Sequence, residues 1–292
     1  SEKSIGSISH AVILLSHKCN LACSYCYAQD ARSSDTLSQE ILMKIIGDLF
    51  TNAQNKVAFT FMGGGEPTFT WDLLKFGIKY IRAYNYNQTN VNIGVTTNGT
   101  LLNTERIQWL KKQNVLVGIS FEILPEIQNA QRCFPNSSIR SHSLVDQNIK
   151  KLIQFGMFPR LRSTITEINL HRMTDMVNYV VEYYPQLTNL HFEHVTATGL
   201  TMDSYYNVFI EEFFRAKEVA IKNGIELRNS VLTSINSRRT RFCRGEYCIT
   251  PKGSIVSCHR VADENDSQFE KFFYGQVTEQ EITFDKKKRT LV

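Results

Sequence analysis

Between residues 8 and 224, apolar runs of strand length alternate six times with runs of helical periodicity, and this alternation limits the fold more than any other feature. The strand-like runs are 8–15, 57–62, 91–96, 115–121, 159–166 and 190–195. The helix-like runs begin near Leu37, Leu73, Thr104, Ser143, His171 and Asp203. In the first, Ile41, Ile45, Ile46 and Leu49 share one helical face behind a cap at Asp35 or Thr36. Gly156, Pro185 and Asn223-Gly224 stop three of the others. Strands that alternate with helices pair in parallel through right-handed crossovers. Six units fall short of a closed eight-fold barrel. In such α/β folds ligands gather at the C-terminal ends of the strands.

The loop at the end of the first strand carries Cys19, Cys23 and Cys26. With seven cysteines in 292 residues, chance would place the second and third at these offsets with a probability of ~0.0006. Three thiolates on one tight loop suit a soft metal centre, iron–sulfur or zinc. Structural zinc usually takes a fourth protein ligand at Cx2C-type spacing, and none lies nearby. Three ligands leave one metal position open.

Composition sets outer bounds. Hydrophobic residues make up 42% and charged residues 21%, which is enough for a globular core. The net charge of +5 is mild. The basic run Lys286-Lys287-Lys288-Arg289 reads as a solvated tail, so no nucleic acid is expected as partner. No apolar run approaches 18 residues, so no membrane span is expected. Residues 10–15 are too short for the apolar region of a signal peptide. An odd cysteine count with two tight clusters argues for metal over a disulfide framework, and a reducing cytoplasm is the expected location.

The CxxxCxxC loop, with Tyr25 before its last cysteine, resembles the signature of the radical S-adenosylmethionine (SAM) enzymes. That resemblance covers roughly residues 8–224 and implies a partial (β/α)6 barrel over 8–227. It implies that Cys19, Cys23 and Cys26 hold three irons of a [4Fe–4S] cluster, with SAM chelating the fourth. It also implies one-electron cleavage of SAM to a 5′-deoxyadenosyl radical that takes a hydrogen atom from the substrate. Such chemistry belongs to the cofactors, and the protein positions them.

Gly63-Gly64-Gly65-Glu66-Pro67 follows the second strand, and glycines let backbone groups approach a ligand closely. Residues Gly64, Gly65, Glu66 and Pro67 match the family's GGEP motif, which meets the SAM amino group. Glu66 would add a charge-assisted contact there. Thr97-Asn98-Gly99-Thr100 is either simple turn chemistry or, through Asn98, a polar wall of the SAM pocket. Ser120 ends the fourth strand, where relatives contact the SAM ribose or carboxylate. Many relatives have Asp two residues further on, whereas this chain has Glu122. Arg162, on the fifth strand, either pairs with the SAM carboxylate or snorkels at a barrel end. His191 and Glu193 fall on one face of the sixth strand and His194 on the other. Their plain role is polar filling; their sharper one is substrate contact or proton handling.

From residue 228 the pattern changes. A polar stretch, 228–241, reads as a linker, and 242–292 as a small second module. Cys243, nine residues, Gly253, four residues and Cys258 resemble the start of a SPASM or twitch module, which holds auxiliary [4Fe–4S] clusters. Cys248 is a middle ligand or a strand-core thiol. No cysteine follows Cys258, so the module is either twitch-like and short or cut off from its remainder. Cys133, alone in the 122–140 loop, reads as a small buried hydrophobe.

The resemblance implies a maturase that modifies a peptide or protein. The expected substrate is a ribosomally made precursor peptide, cross-linked through a thioether or carbon–carbon bond, with flavodoxin or ferredoxin as electron donor. The alternatives are oxidation of a Cys or Ser side chain on a sulfatase, or a binding protein without chemistry.

Overall fold

A computed structural model describes residues 8–29, 33–52, 56–85, 89–195, 202–238, 246–261 and 263–289. Seven parallel strands succeed one another across the sheet in chain order. They are β1 (His10–Ile13), β2 (Lys56–Phe61), β3 (Asn90–Thr97), β4 (Leu116–Ser120), β5 (Arg160–Ile165), β6 (Asn189–His194) and β7 (Glu226–Arg228). Helices α1 (Gln39–Asn52), α2 (Trp71–Tyr84), α3 (Thr104–Lys112), α4 (Pro125–Gln131), α5 (Ser141–Gln154), α6 (Met173–Tyr183) and α7 (Met202–Lys222) fall between successive strands. The expected partial (β/α) barrel is therefore present, with one strand more than the periodicity showed. β7 has three residues, too few to give a period, and joins β6 directly after the turn at Gly224.

Two stretches expected to be irregular are helical. Within 122–140, α4 starts on Pro125, which occupies the first helical turn where its missing N–H costs nothing. Within the expected linker, Arg228 belongs to β7, and α8 (Ser230–Asn236) follows at once. The Asn229 side chain caps it by accepting a hydrogen bond from the Val231 N–H at 2.8 Å. The last three residues of that linker, 239–241, lie outside the described residues.

In β2 to β6 every second residue is buried in the shared core with the helices: Phe59 and Phe61, Ile93 and Val95, Val117 and Ile119, Leu161 and Ile165, Leu190 and Phe192. Burying each such side chain contributes about 1.5–3 kcal/mol. The alternate set, which includes Thr96, Ser120, Arg162, Thr164 and Glu193, lines a cavity at the C-terminal ends of the strands.

β1 breaks this alternation, since every residue from Ala11 to Leu15 is buried. The cause is the C-terminal segment. β8 (Cys248–Ile249) pairs in parallel with β1 on the edge away from β2. The Val12 and Leu14 N–H groups donate to the Tyr247 and Ile249 carbonyls, both at 2.9 Å. β9 (Ser254–Val256), β10 (Phe273–Val277) and β11 (Ile282–Phe284) continue the sheet in antiparallel fashion. Val12 and Leu14 pack with Cys248, Val256, Val261 and Phe269, while Ala11, Ile13 and Leu15 pack into the barrel core. A strand covered on both faces reads as a continuous apolar run. The basic run expected as a solvated tail forms a short helical turn, Lys286–Arg289. In it the Lys288 ammonium donates to the Glu270 carbonyl at 2.8 Å. Among the described residues, no helix is long and apolar enough to cross a membrane.

Candidate active site

The loop after β1 is held from three sides. From the glycine turn, the Gly65 and Glu66 N–H groups donate to the Ser16 and Lys18 carbonyls, both at 2.8 Å. From the end of β3, Asn98 Nδ2 donates to Asn20 Oδ1 at 2.9 Å, and Asn20 Nδ2 donates to Thr100 Oγ1 at 2.8 Å. At the C-terminal end of α4 and just beyond it, the Gln131 and Cys133 carbonyls accept the Ser24 and Ala22 N–H groups at 3.0 and 2.8 Å. Cys133 is only half-buried, and its Sγ meets the Ala22 carbonyl at 3.3 Å. It is thus a neighbour of the loop, where a core thiol was expected.

So held, Cys19, Cys23 and Cys26 line the cavity at the strand ends together with Tyr25 and Tyr27. Gly64, Gly65 and Glu66 form a second wall, Asn98 a third, and Ser120 and Arg162 a fourth. Ser120 and Arg162 are register partners on β4 and β5. Every sequence-expected cofactor residue except Pro67 lies on this cavity; Pro67 is buried beneath it as the first residue of a short 3-10 turn. Burial pushes the Cys23 thiol up to about 11 against the lowering pull of Arg132, with Cys19 and Cys26 adding to the rise.

Glu66 has a second task that its motif does not advertise. Its Oε1 accepts hydrogen bonds from the Thr68 N–H at 2.9 Å and from the Thr68 and Thr97 hydroxyls at 2.5 Å. Its Oε2 accepts the Asn98 N–H at 2.7 Å. The carboxylate thereby ties the end of β2 to the end of β3, and burial raises its pKa despite these donors. Glu122, where many relatives have Asp, is not on the cavity wall. It is fully buried behind the loop, bonded to Tyr25, Arg132, Ser163 and Thr164. Tyr25 lines the cavity but spends its hydroxyl on that carboxylate.

The opposite rim is polar. Glu193 and His194 both reach the cavity, although strand alternation assigned them to different faces, because they lie at the very end of β6. Burial alone would raise the Glu193 pKa. Hydrogen bonds from His191 at 2.6 Å and the Ser230 hydroxyl at 2.5 Å, with the charge of Arg162, bring it down to about 2. His259 and Arg260 come from the C-terminal module and complete this rim. His259 is oriented by Glu246, whose carboxylate accepts its N–H at 2.7 Å and lies 2.8–2.9 Å from its Nδ1. Tyr27 joins the two sides: its ring meets His259 edge-on at 6.0 Å, and its hydroxyl hydrogen-bonds the Gly64 backbone. Tyr27, Arg132, His259 and Arg260 were not singled out in the sequence. Tyr27 and His259 each directly follow a cysteine that was singled out, but nothing in the sequence shows that the two stretches meet; Arg132 lies on a third segment with no motif around it. Of the second cysteine set, Cys248 is fully buried in the small apolar core and Cys258 is half-buried two residues beyond β9. Burial raises the Cys248 pKa, with the charge of Glu246 and then of Cys258 adding to the rise. Cys243 lies outside the described residues.

A parallel partial barrel with three thiols and a glycine turn on one cavity at its strand ends defines a class, and the comparisons with known proteins agree with it. The sequence profile of the Radical SAM superfamily matches residues 13–180, and the chain belongs to that superfamily. Its members use a [4Fe–4S] cluster with SAM. The chain is similar to a cysteine-type anaerobic sulfatase-maturating enzyme of Clostridium novyi strain NT, 23% identical over 93% of this chain and 80% of the relative. It is also similar to the antilisterial bacteriocin subtilosin biosynthesis protein AlbA of Bacillus subtilis strain 168, 30% identical over 59% of this chain but only 36% of the relative. Among solved structures, native anSMEcpe with bound AdoMet shares the fold, with a TM-score of 0.78 at 20% identity over 96% of this chain and 79% of that one. Streptococcus suis SuiB bound to precursor peptide SuiA matches with a TM-score of 0.63 at 15% identity, over 90% and 62%.

Proposed function

We propose that this chain is a radical SAM maturase that modifies a side chain of a peptide or protein. The observation that carries the reading is convergence: three thiols, a glycine turn, an inward arginine and an imidazole from the C-terminal module share one cavity. The donor set fits the family's cofactors. Cys19, Cys23 and Cys26 are the cluster ligands, and no other protein group is needed if SAM takes the last iron. Gly64, Gly65, Glu66, Asn98 and Ser120 would hold the polar parts of SAM, with Pro67 behind them shaping the turn, and Arg162 would pair with its carboxylate. Bound there, the cluster and SAM supply one-electron reductive cleavage and the hydrogen-atom abstraction that follows.

The protein's own part is to hold, orient and handle protons. Glu66 and Asn98 keep the strand ends and the cysteine loop in register. His194, His259 and Arg260 face the side of the cavity left for substrate, where an imidazole is suited to take a proton from a reacting side chain. Cys243, Cys248 and Cys258 would hold an auxiliary [4Fe–4S] cluster, which would supply an electron acceptor for the product radical or an anchor that orients the peptide. A small ferredoxin or flavodoxin supplies the electron, and a reducing cytoplasm is the location this chemistry asks for.

The substrate reading is a ribosomally made precursor peptide that becomes cross-linked. A second reading is oxidation of a Cys or Ser side chain, favoured by the similarity to a sulfatase-maturating enzyme over nearly the whole chain. Mass spectrometry decides between them. A peptide encoded beside this gene, incubated with reduced enzyme and SAM, should lose two hydrogens and resist aldehyde probes if cross-linked. A sulfatase-derived Cys or Ser peptide that gains an aldehyde favours the second reading. No change in any peptide while SAM is cleaved would reject both.

A further inference from the structure

We infer that Arg132, locked in place by Glu122, is a positioning residue that sets a fixed positive charge against the cysteine loop and raises the reduction potential of the cluster held there. The inference rests on the reading of Cys19, Cys23 and Cys26 as cluster ligands.

The geometry comes from four separate segments. Glu122 follows β4 and is fully buried, and the next residue, Ile123, has a φ of 66°. That conformation is costly for a β-branched side chain and marks a constrained turn. Glu122 Oε2 is taken by the Ser163 hydroxyl at 2.5 Å and the Thr164 N–H at 3.0 Å. Its N–H donates to Gln128 Oε1 at 2.8 Å. Glu122 Oε1 takes the Tyr25 hydroxyl and Arg132 Nε, the latter at 2.8 Å. The carboxylate therefore has no freedom to follow a moving arginine; it fixes one.

Arg132 is 8% exposed and directly follows α4. Its guanidinium carbon sits 5.3 Å from the centre of the Tyr25 ring, and its Nη1 reaches 3.9 Å from Cys23 Sγ. The residues on either side of it, Gln131 and Cys133, accept the Ser24 and Ala22 N–H groups. Arg132 is thus flanked by the hydrogen bonds that hold the loop, while its side chain bridges Tyr25 and Cys23. Glu122 offsets part of this charge at the sulfur, but it meets Arg132 through Nε, whereas Nη1 is the nitrogen that reaches Cys23 Sγ. A positive charge and an N–H directed at a thiolate sulfur favour the more negative, reduced form of an iron–sulfur centre. Arginine suits this place because it cannot lose its proton and its fork can bond Glu122 with one nitrogen and face sulfur with another.

The test uses the full chain, reconstituted anaerobically, with iron and sulfide counted and the midpoint potential read by an EPR-monitored redox titration. Arg132→Met removes the charge at similar volume and should shift the midpoint to a more negative value. Arg132→Lys, which keeps the charge, should fall nearer the parent. A Met variant with full iron content and the parent's midpoint overturns the inference. If the Met variant retains no cluster, the Lys variant decides: a Lys variant holding its cluster near the parent's potential supports the role of charge, and one that also loses it reduces Arg132 to a packing role and overturns the claim. A parent chain that takes up no [4Fe–4S] cluster would instead sink the ligand assignment itself, along with everything built on it.

Discussion

A methyl group at Gly65 would stand 2.0 Å from the carbonyl oxygen of Lys18. The sequence shows that this turn lets something come close; it does not show that part of what comes close is the chain's own cysteine loop. Gly65→Ala must push that loop away, an overpacking that typically costs 1–3 kcal/mol. The variant should melt lower and bind less than the parent's iron on reconstitution; parent-like iron content would mean the loop does not depend on this contact. Glu66 is a similar case. Truncation to Ala strands four donors in a buried place, at about 1–3 kcal/mol for the unsatisfied groups. Urea unfolding of the apoprotein should show that loss before any cofactor is added. A Glu66→Ala chain as stable as the parent would return the residue to a ligand-only role. The motif residues were legible because their types and spacing are special. Tyr27, Arg132 and His259 were not, because an ordinary side chain becomes part of a site only through a fold that brings it there.

At the scale of elements, periodicity carries far where the element is long and exposed on one face. It found β2 to β6 and their helices because one face meets the core and the other the cavity. It passed over β7 and β8, which have three and two residues, and over α4, whose Pro125 reads as a breaker until its position in the first turn is known. β1 is the element on which both halves of the molecule depend. Leu14 lies in the small core with Cys248 and Val256, one residue from Ile13 in the barrel core. Leu14→Ala should destabilise the fold by about 2–5 kcal/mol and loosen the β8 contact selectively. Hydrogen exchange would show this as faster exchange at Leu14 and Val12 than at Phe59. Uniform exchange would mean that the module adds nothing to the hold on β1.

For the whole molecule, the consequential fact is that the C-terminal module folds back onto β1 and supplies His259 and Arg260 to the rim of the cavity. The sequence suggests a separate module after the barrel; the β8 pairing instead joins that segment to β1 in one sheet and makes it a wall of the site. The same rim carries a pH signature. Glu193 is held down to about 2 from an ordinary 4.5, so the stability it contributes is complete above pH 4.5 and is lost as pH falls towards 2. Glu193→Gln should flatten the dependence of melting temperature on pH in that window; an unchanged slope would place the acid sensitivity elsewhere. The central claim is that Cys19, Cys23 and Cys26 together make this cavity a place where SAM is cleaved. The measurement is 5′-deoxyadenosine formed by the anaerobically reconstituted, dithionite-reduced chain, beside the variant with all three cysteines changed to Ala. The parent should produce it, and the variant should bind one [4Fe–4S] cluster fewer and produce none. A triple variant that forms 5′-deoxyadenosine at the parent's rate would contradict the assignment.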